Sequence, residues 1–293
     1  MFGRRKPRTD KMTDRTRIKA TRPGRPGRLS YLTLIFLLSS LVGSVEADPV
    51  NVPPLSTSGT GAHADFTSLL ADYVDGDRVD YAELCKDDRL DSYIARLAAT
   101  DPTTITDDKT RLAFWTNAYN AYTLKIICDN YPLKSIRDLH FGGLIIGTVT
   151  KKNAWDRKFV VIGGKEYSLN NIEHDIIRPE FKDARAHFAL VCAARSCPPL
   201  RPEAFEGATL DEQLDDQGRV FLAQTDKNRF DDDKKIAYLS KIMDWYGGDF
   251  GSNDEAILVY LLPFLPEDVA DVIRANPGAW DIKHTEYDWS LND

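Results

Sequence analysis

Residues 109–130, KTRLAFWTNAYNAYTLKIICDN, are apolar on nearly every face of a helix. A helix that is hydrophobic all round has no side to turn to water, so it is predicted to lie inside a domain with the other elements packed around it. Tyr131-Pro132 stops it, because proline lacks the amide that would continue the ladder. Within this helix Asn117 and Asn120 stand at i, i+3 on one face. Asn is a poor helix former, since its side chain competes for the backbone, and a buried amide left unpaired costs roughly 2–7 kcal/mol. Both are expected to be buried and hydrogen-bonded, either fastening a neighbouring loop or lining a polar site.

Around this element the patterning reads as further short helices and a little β-structure. Phe66, Leu69, Leu70 and Tyr73 predict a helix over 65–74, and Leu90, Ile94 and Leu97 another that ends before Asp101-Pro102. Residues 158–169, KFVVIGGKEYSL, read as a β-hairpin turning at Gly163-Gly164. Asn170 and Glu173 resemble a capping box opening a helix over 171–179, and Thr209 and Glu212 a second box opening a helix with Leu210, Leu214 and Phe221. HFALVC, 187–192, reads as a buried strand. Asn253 is expected to cap a helix through Leu262, and Pro266 to start one ending at Asn276-Pro277-Gly278. The sum is an α+β fold: one globular domain over 63–293, mostly helical, with a small sheet or hairpins.

Charge divides the chain. Residues 1–47 carry 11 Lys and Arg against 3 Asp and Glu, whereas residues 48–293 carry 27 against 42. So acidic a domain repels a phosphate backbone, which excludes nucleic acid as the expected partner. The basic 1–28, the apolar run LSYLTLIFLLSSLV and the small residues Val45 and Ala47 form the pattern of a cleaved secretory signal. The run falls short of the roughly 20 residues that span a bilayer. The expectation is a signal peptide over 1–47, a flexible linker over 48–62, and a periplasmic or secreted domain with no membrane attachment after cleavage. In such a compartment the four cysteines, Cys85, Cys128, Cys192 and Cys197, have three pairings open to them, and Cys192 with Cys197 would close a small loop.

Five segments occur in order: AFWTNAYNAYTLK (113–125), YSLNNIEHDIIRP (167–179), HFALVCAARSCPPLRPEAF (187–205), LDDQGRVFL (214–222) and YDWSLND (287–293). Together they resemble the family known as domain of unknown function 547. As that name says, the family's biochemistry is not established, so the resemblance implies no catalytic residues.

The chemistry must come from the residues themselves. His140, His174, His187 and His284 form no His-Glu-x-x-His, the cysteines no Cys-x-x-Cys, and the glycines no phosphate loop. No Gly-x-Ser-x-Gly elbow occurs, and Asp231-Asp232-Asp233 reads as a solvated turn. No metal and no cofactor are therefore called for. Thiol chemistry is left. Cys197 follows Arg195 in a turn closed by Pro198-Pro199, where a cation can favour the thiolate. Cys192, in an apolar run, is expected to be inert, and strand alternation would put His187 on the face opposite to it. The candidate site is Cys197 as nucleophile, His187 or His174 as base, Glu173 beside His174 as a proton-transfer partner, and Asn117 and Asn120 as orienting amides. The bland alternatives are a Cys192–Cys197 disulfide, His187 held in the core, and Glu173 as a helix cap. Two functions follow: a cysteine-dependent hydrolase or acyl transferase acting on a peptide, amide or ester, or a non-catalytic periplasmic binding or adaptor domain for a small molecule or peptide.

Amino-terminal sequencing of the exported protein should give Asp48 as the first residue, from cleavage after Ala47. A mature chain beginning at Met1 or Met12 would show an uncleaved anchor instead.

Overall fold

The computed structural model describes residues 52–57, 61–139 and 153–293. The proposed leader, His140 and Gly142-Gly143 lie outside these residues. α1 (Ala64–Tyr73), α2 (Arg89–Ala99) and α3 (Asp108–Cys128) pack together, with α3 buried along most of its length. Asp107 caps α3 by accepting the Thr110 amide. Phe66 and Tyr93 stack at 4.5 Å between α1 and α2. In the stretch read as a linker, Leu55 is buried and its amide donates to Thr100 Oγ1 at 2.9 Å. The disulfide joins Cys85 to Cys128, tying the end of α3 to the turn after Tyr81–Leu84, and leaves Cys192 and Cys197 as free thiols. The Cys192–Cys197 disulfide is therefore not the pairing found.

The hairpin forms as its glycines require. β1 (Val160–Ile162) pairs antiparallel with β2 (Lys165–Tyr167), and Gly163 and Gly164 take φ of +56° and +73°. The following helix departs from expectation. Its start is fastened by Ser168 and Asn171, each side chain accepting the other's amide at 3.1 Å, while Asn170 donates to Asp156. Glu173 is not the cap. The chain then runs as a π-helix over Asn171–Ile177, a wide winding common at functional sites, which carries Glu173 to the interior.

A second apolar cluster lies toward the carboxyl end. It gathers Phe188, α4 (Leu210–Leu222), α5 (Lys241–Trp245), α6 (Asp254–Leu261), α7 (Glu267–Ala275) and a three-stranded sheet. In that sheet β4 (Ile236–Leu239) pairs antiparallel with β3 (Arg229–Asp231) and parallel with β5 (Asp281–His284). Asp231 accepts the Lys234 amide, so the acidic run makes the turn between β3 and β4. Asn253 caps α6 through the Ala256 amide, as its position predicts. Thr209 makes no such cap on α4: a 3₁₀ turn, Gly207–Thr209, leads in, and Gln213 takes the Glu206 amide. Gly218 admits close packing, since a Cβ there would stand 2.9 Å from Phe264.

Residues 187–192 are not a strand. Ala186–Ala189 form one helical turn, and the chain becomes extended only at Leu190. The amphipathic demand explains this: Ala186 and Ala189 face the first cluster and Phe188 the second, a spacing met by a helical turn between two cores. No helix among the described residues is long and apolar enough to cross a membrane.

Asn117 and Asn120 are both buried and doubly bonded to backbone. Asn117 Nδ2 donates to Phe205 O at 2.7 Å and its Oδ1 accepts the Phe205 amide at 2.9 Å. Asn120 Nδ2 donates to Ala189 O at 2.9 Å, and its Oδ1 accepts the Val191 amide at 3.1 Å. Replacing either with alanine leaves two buried backbone groups unpaired and should destabilise the fold by about 1–3 kcal/mol in urea unfolding. Variants that unfold at the parent midpoint would mean that these bonds contribute nothing net.

Candidate functional site

A cavity of about 290 Å³ opens beside the turn Ala186–Ala189 and contains both free thiols. They come from the loop Leu190–Pro198, which is held at two places. Asn120 grips its beginning, as described. Residues 288–292 run along its far side: the Arg195 amide donates to Ser290 O, the Ser196 amide to Asp288 O, and Ala194 bridges Leu291. Between the cysteines Ala193 takes a left-handed φ of +57°, a conformation alanine adopts only when its surroundings impose it.

This turn brings the Cys192 amide within 2.9 Å of Cys197 Sγ, donating to it. Cys192 Sγ in turn lies 3.1 Å from Tyr287 Oη. Behind them Lys227, itself buried, donates to Cys197 O at 2.9 Å. The two thiols are driven apart by these contacts. Burial pushes Cys192 well above the usual thiol range, and the neighbouring Cys197 sulfur adds to it. Burial also opposes ionisation of Cys197, but the Cys192 thiol and amide, Tyr287 and the Lys227 charge outweigh it and hold Cys197 below the ordinary value. Burial lowers Lys227 itself.

On the other side His187 lines the cavity, buried, with its ring 4.0 Å from that of Tyr246. Its Nε2 bonds Asp249 Oδ2 at 2.8 Å, and Arg178 grips the same carboxylate from Nε at 2.6 Å and Nη2 at 2.9 Å. The Arg178 bonds hold Asp249 ionised, with its pKa down at about 2. His187 is lowered from the usual value, burial overcoming the Asp249 bond, so at pH 7 it is the neutral imidazole. Glu173 enters from the π-helix, 5% exposed, and Tyr119 Oη donates to its Oε2 at 3.3 Å. Trp155, Trp245, Tyr287 and Trp289 complete the wall: Trp245 lies 4.8 Å from Tyr287 and stacks on Trp289 at 5.6 Å, and Trp155 meets Trp289 edge-on at 5.9 Å.

Of the residues singled out from the sequence, Cys197, His187 and Glu173 share this cavity. His174 does not reach it; it is exposed and bonds Arg178 Nη1 at 3.0 Å, because the winding that turns Glu173 inward turns its neighbour out. Asn117 and Asn120 act as fasteners of backbone outside the cavity lining. Arg195 is exposed and is not the cation beside Cys197; Lys227 is. His187 and Cys192 do not point apart either, since both line the cavity once the segment is a helical turn. Asp249, Tyr246, Tyr287 and Lys227 had no local signal. Only Tyr287 lay in a segment already noted. No group of three or more His, Cys, Asp or Glu suited to a metal ion occurs among the described residues.

Residues 103–222 match the model of a family described as a protein of unknown function, DUF547. The chain thus resembles that family over the part that supplies Tyr119, Glu173, His187 and both thiols, and over four of the five segments noted in the sequence. Asp249, Tyr287 and Trp289 lie beyond the matched stretch. No curated protein and no solved structure matches the chain.

The direction of the Cys197 shift sets a pH dependence. A lowered thiol pKa gives thiolate at lower pH, so alkylation of Cys197 by iodoacetamide should climb with its midpoint below the roughly 8.5 of a free thiol. Lys227→Met removes the cation and should move that climb to higher pH. Peptide mapping of the alkylated protein from pH 5 to 10 reads both; Cys192 reacting at the same pH as Cys197 would overturn the assignment.

Proposed function

We propose that the cavity is the active site of an exported cysteine-dependent hydrolase or acyl transferase, acting on an amide or ester, with Cys197 as the nucleophile. The observation that carries this reading is the donation of the Cys192 amide to Cys197 Sγ in a cavity that also holds an Asp249-oriented histidine. In the step proposed, His187 takes the thiol proton as Sγ attacks the carbonyl carbon. The bond to the leaving amine or alcohol then breaks, and His187 returns the proton to it. Water or another acceptor releases the acyl group from the sulfur. Asp249 is a positioning residue, acting on the ring rather than on substrate. A neutral His187 at pH 7 favours this role, since only the unprotonated ring can accept. The Cys85–Cys128 disulfide supports an oxidising compartment, and with it the export reading.

A second reading is a binding or adaptor domain without turnover. It is favoured by the commitment of His187 Nε2 to Asp249 rather than to a thiol, and by the aromatic wall.

Turnover of 4-nitrophenyl acetate separates the two. Cys197→Ser should abolish hydrolysis, a loss of 10³-fold or more, about 4 kcal/mol in barrier, whereas Cys192→Ser should keep it and lose mainly stability. Hydrolysis surviving in Cys197→Ser, or an intact Cys192–Cys197 disulfide in active protein, would sink the thiol mechanism.

A further inference from the structure

We infer that the cavity recognises a ligand bearing a quaternary or alkylated ammonium group, seated against the tryptophan wall with its charge answered by Glu173. This names the substrate class of the site proposed above, and it shares that reading's cavity without depending on the thiol step.

The charges on the lining make the first selection. Of the described residues that line the cavity, none is lysine or arginine. Glu173 is the carboxylate among them, buried, with a tyrosine hydroxyl as the partner of its Oε2. His187 adds no positive charge at neutral pH, and Asp249, which does not line the cavity, is already answered by Arg178. An anionic ligand such as a carboxylate or phosphate would find no lysine or arginine on the lining to receive it, since Lys227 lies behind Cys197 and bonds its carbonyl while Arg178 is engaged with Asp249, and it would approach the Glu173 carboxyl instead. A cation meets the opposite situation.

The lining chooses among cations. A small, strongly hydrated metal ion needs several oxygen or nitrogen ligands, and no such group is present among the described residues. Indole and phenol rings instead offer π-faces, which attract a bulky, weakly hydrated organic cation and also bury its methyl groups. Trp155, Trp245 and Trp289 supply the wall; the Arg137 guanidinium already lies 5.0 Å from the Trp289 ring, so Trp155 and Trp245 are the rings left to a ligand, and Trp245 is 45% exposed, placing a large apolar ring where a ligand would enter. The volume of about 290 Å³ falls near the lower end of small-molecule sites, roughly 300–1,000 Å³, which suits a head group rather than a polymer. With Cys197 on the same cavity, the substrate implied is an ester or amide with the cationic group in its acyl or leaving part.

The test uses choline and its uncharged isostere 3,3-dimethylbutan-1-ol, titrated against the tryptophan fluorescence of the full mature chain. Choline should bind saturably and about tenfold or more tighter than the isostere, the margin of a desolvated cation–π contact. Glu173→Gln should reduce that ratio toward one. Since a buried residue's variant can fail to fold, Trp245→Leu at the exposed mouth provides the second arm: it keeps apolar bulk, removes the π-face and should weaken choline selectively. Equal binding of choline and the isostere, no saturable choline signal, or saturation by methyl N-acetylglucosaminide in place of choline would each overturn the inference. The titration reads binding without turnover, so its failure is distinct from survival of esterase activity in Cys197→Ser.

Discussion

One side-chain amide decides where the thiols stand. Asn120 sits inside the long, largely buried helix α3 and holds Ala189 O and Val191 N on either side of Leu190. The chain changes from helical turn to extended backbone at that residue, and a backbone that leaves regular structure inside a core must find other partners for its polar groups. Asn120 supplies them. Asn117 does the same for Phe205 a turn earlier, so α3 acts as a spine with two polar pins. The cysteine loop begins where the Asn120 pin releases it.

The chemistry of the cavity comes from unequal environments for similar groups. Two thiols five residues apart share one loop, yet one receives a backbone amide and the field of a buried lysine, while the other is mainly desolvated. The carboxylates differ likewise. Asp249 is gripped by Arg178 and spends its charge on orienting His187, whereas Glu173 is sunk among aromatic rings with the hydroxyls of Tyr119 and Tyr246 for company. Separating like groups in this way is how a single site can hold a proton acceptor, a nucleophile and a charge-recognising element together.

Much of the fold was legible where the signal was local. The periodicity of α1, α2 and α3 and the Gly163-Gly164 hairpin could be read directly because each depends on neighbours in the sequence. The misreadings share a cause. HFALVC has strand composition, but it lies between two cores that each need one side chain from it, and tertiary demand overrode propensity. Glu173 fits a capping pattern, but Ser168 and Asn171 had already satisfied the amides, and a wide helical turn took Glu173 inward. Cys197, His187 and Glu173 could be nominated from residue type alone. Their partners could not, since Asp249 stands 62 positions from His187 and Tyr287 stands 95 from Cys192, and no short-range pattern spans such gaps.

The strip 287–292 forms part of the aromatic wall and also the splint that keeps Ala193 in its left-handed turn. This gives the site an order of assembly. A ribosome that has made everything through α7 has produced both thiols, the histidine, the glutamate, Trp155 and Trp245, but not Tyr287, Trp289 or the splint. The loop is then free to relax, and the cavity that the thiols share lacks the side that Tyr287 and Trp289 supply. Until residue 287 and its successors fold back, the nascent chain carries the reactive groups without the means to use them.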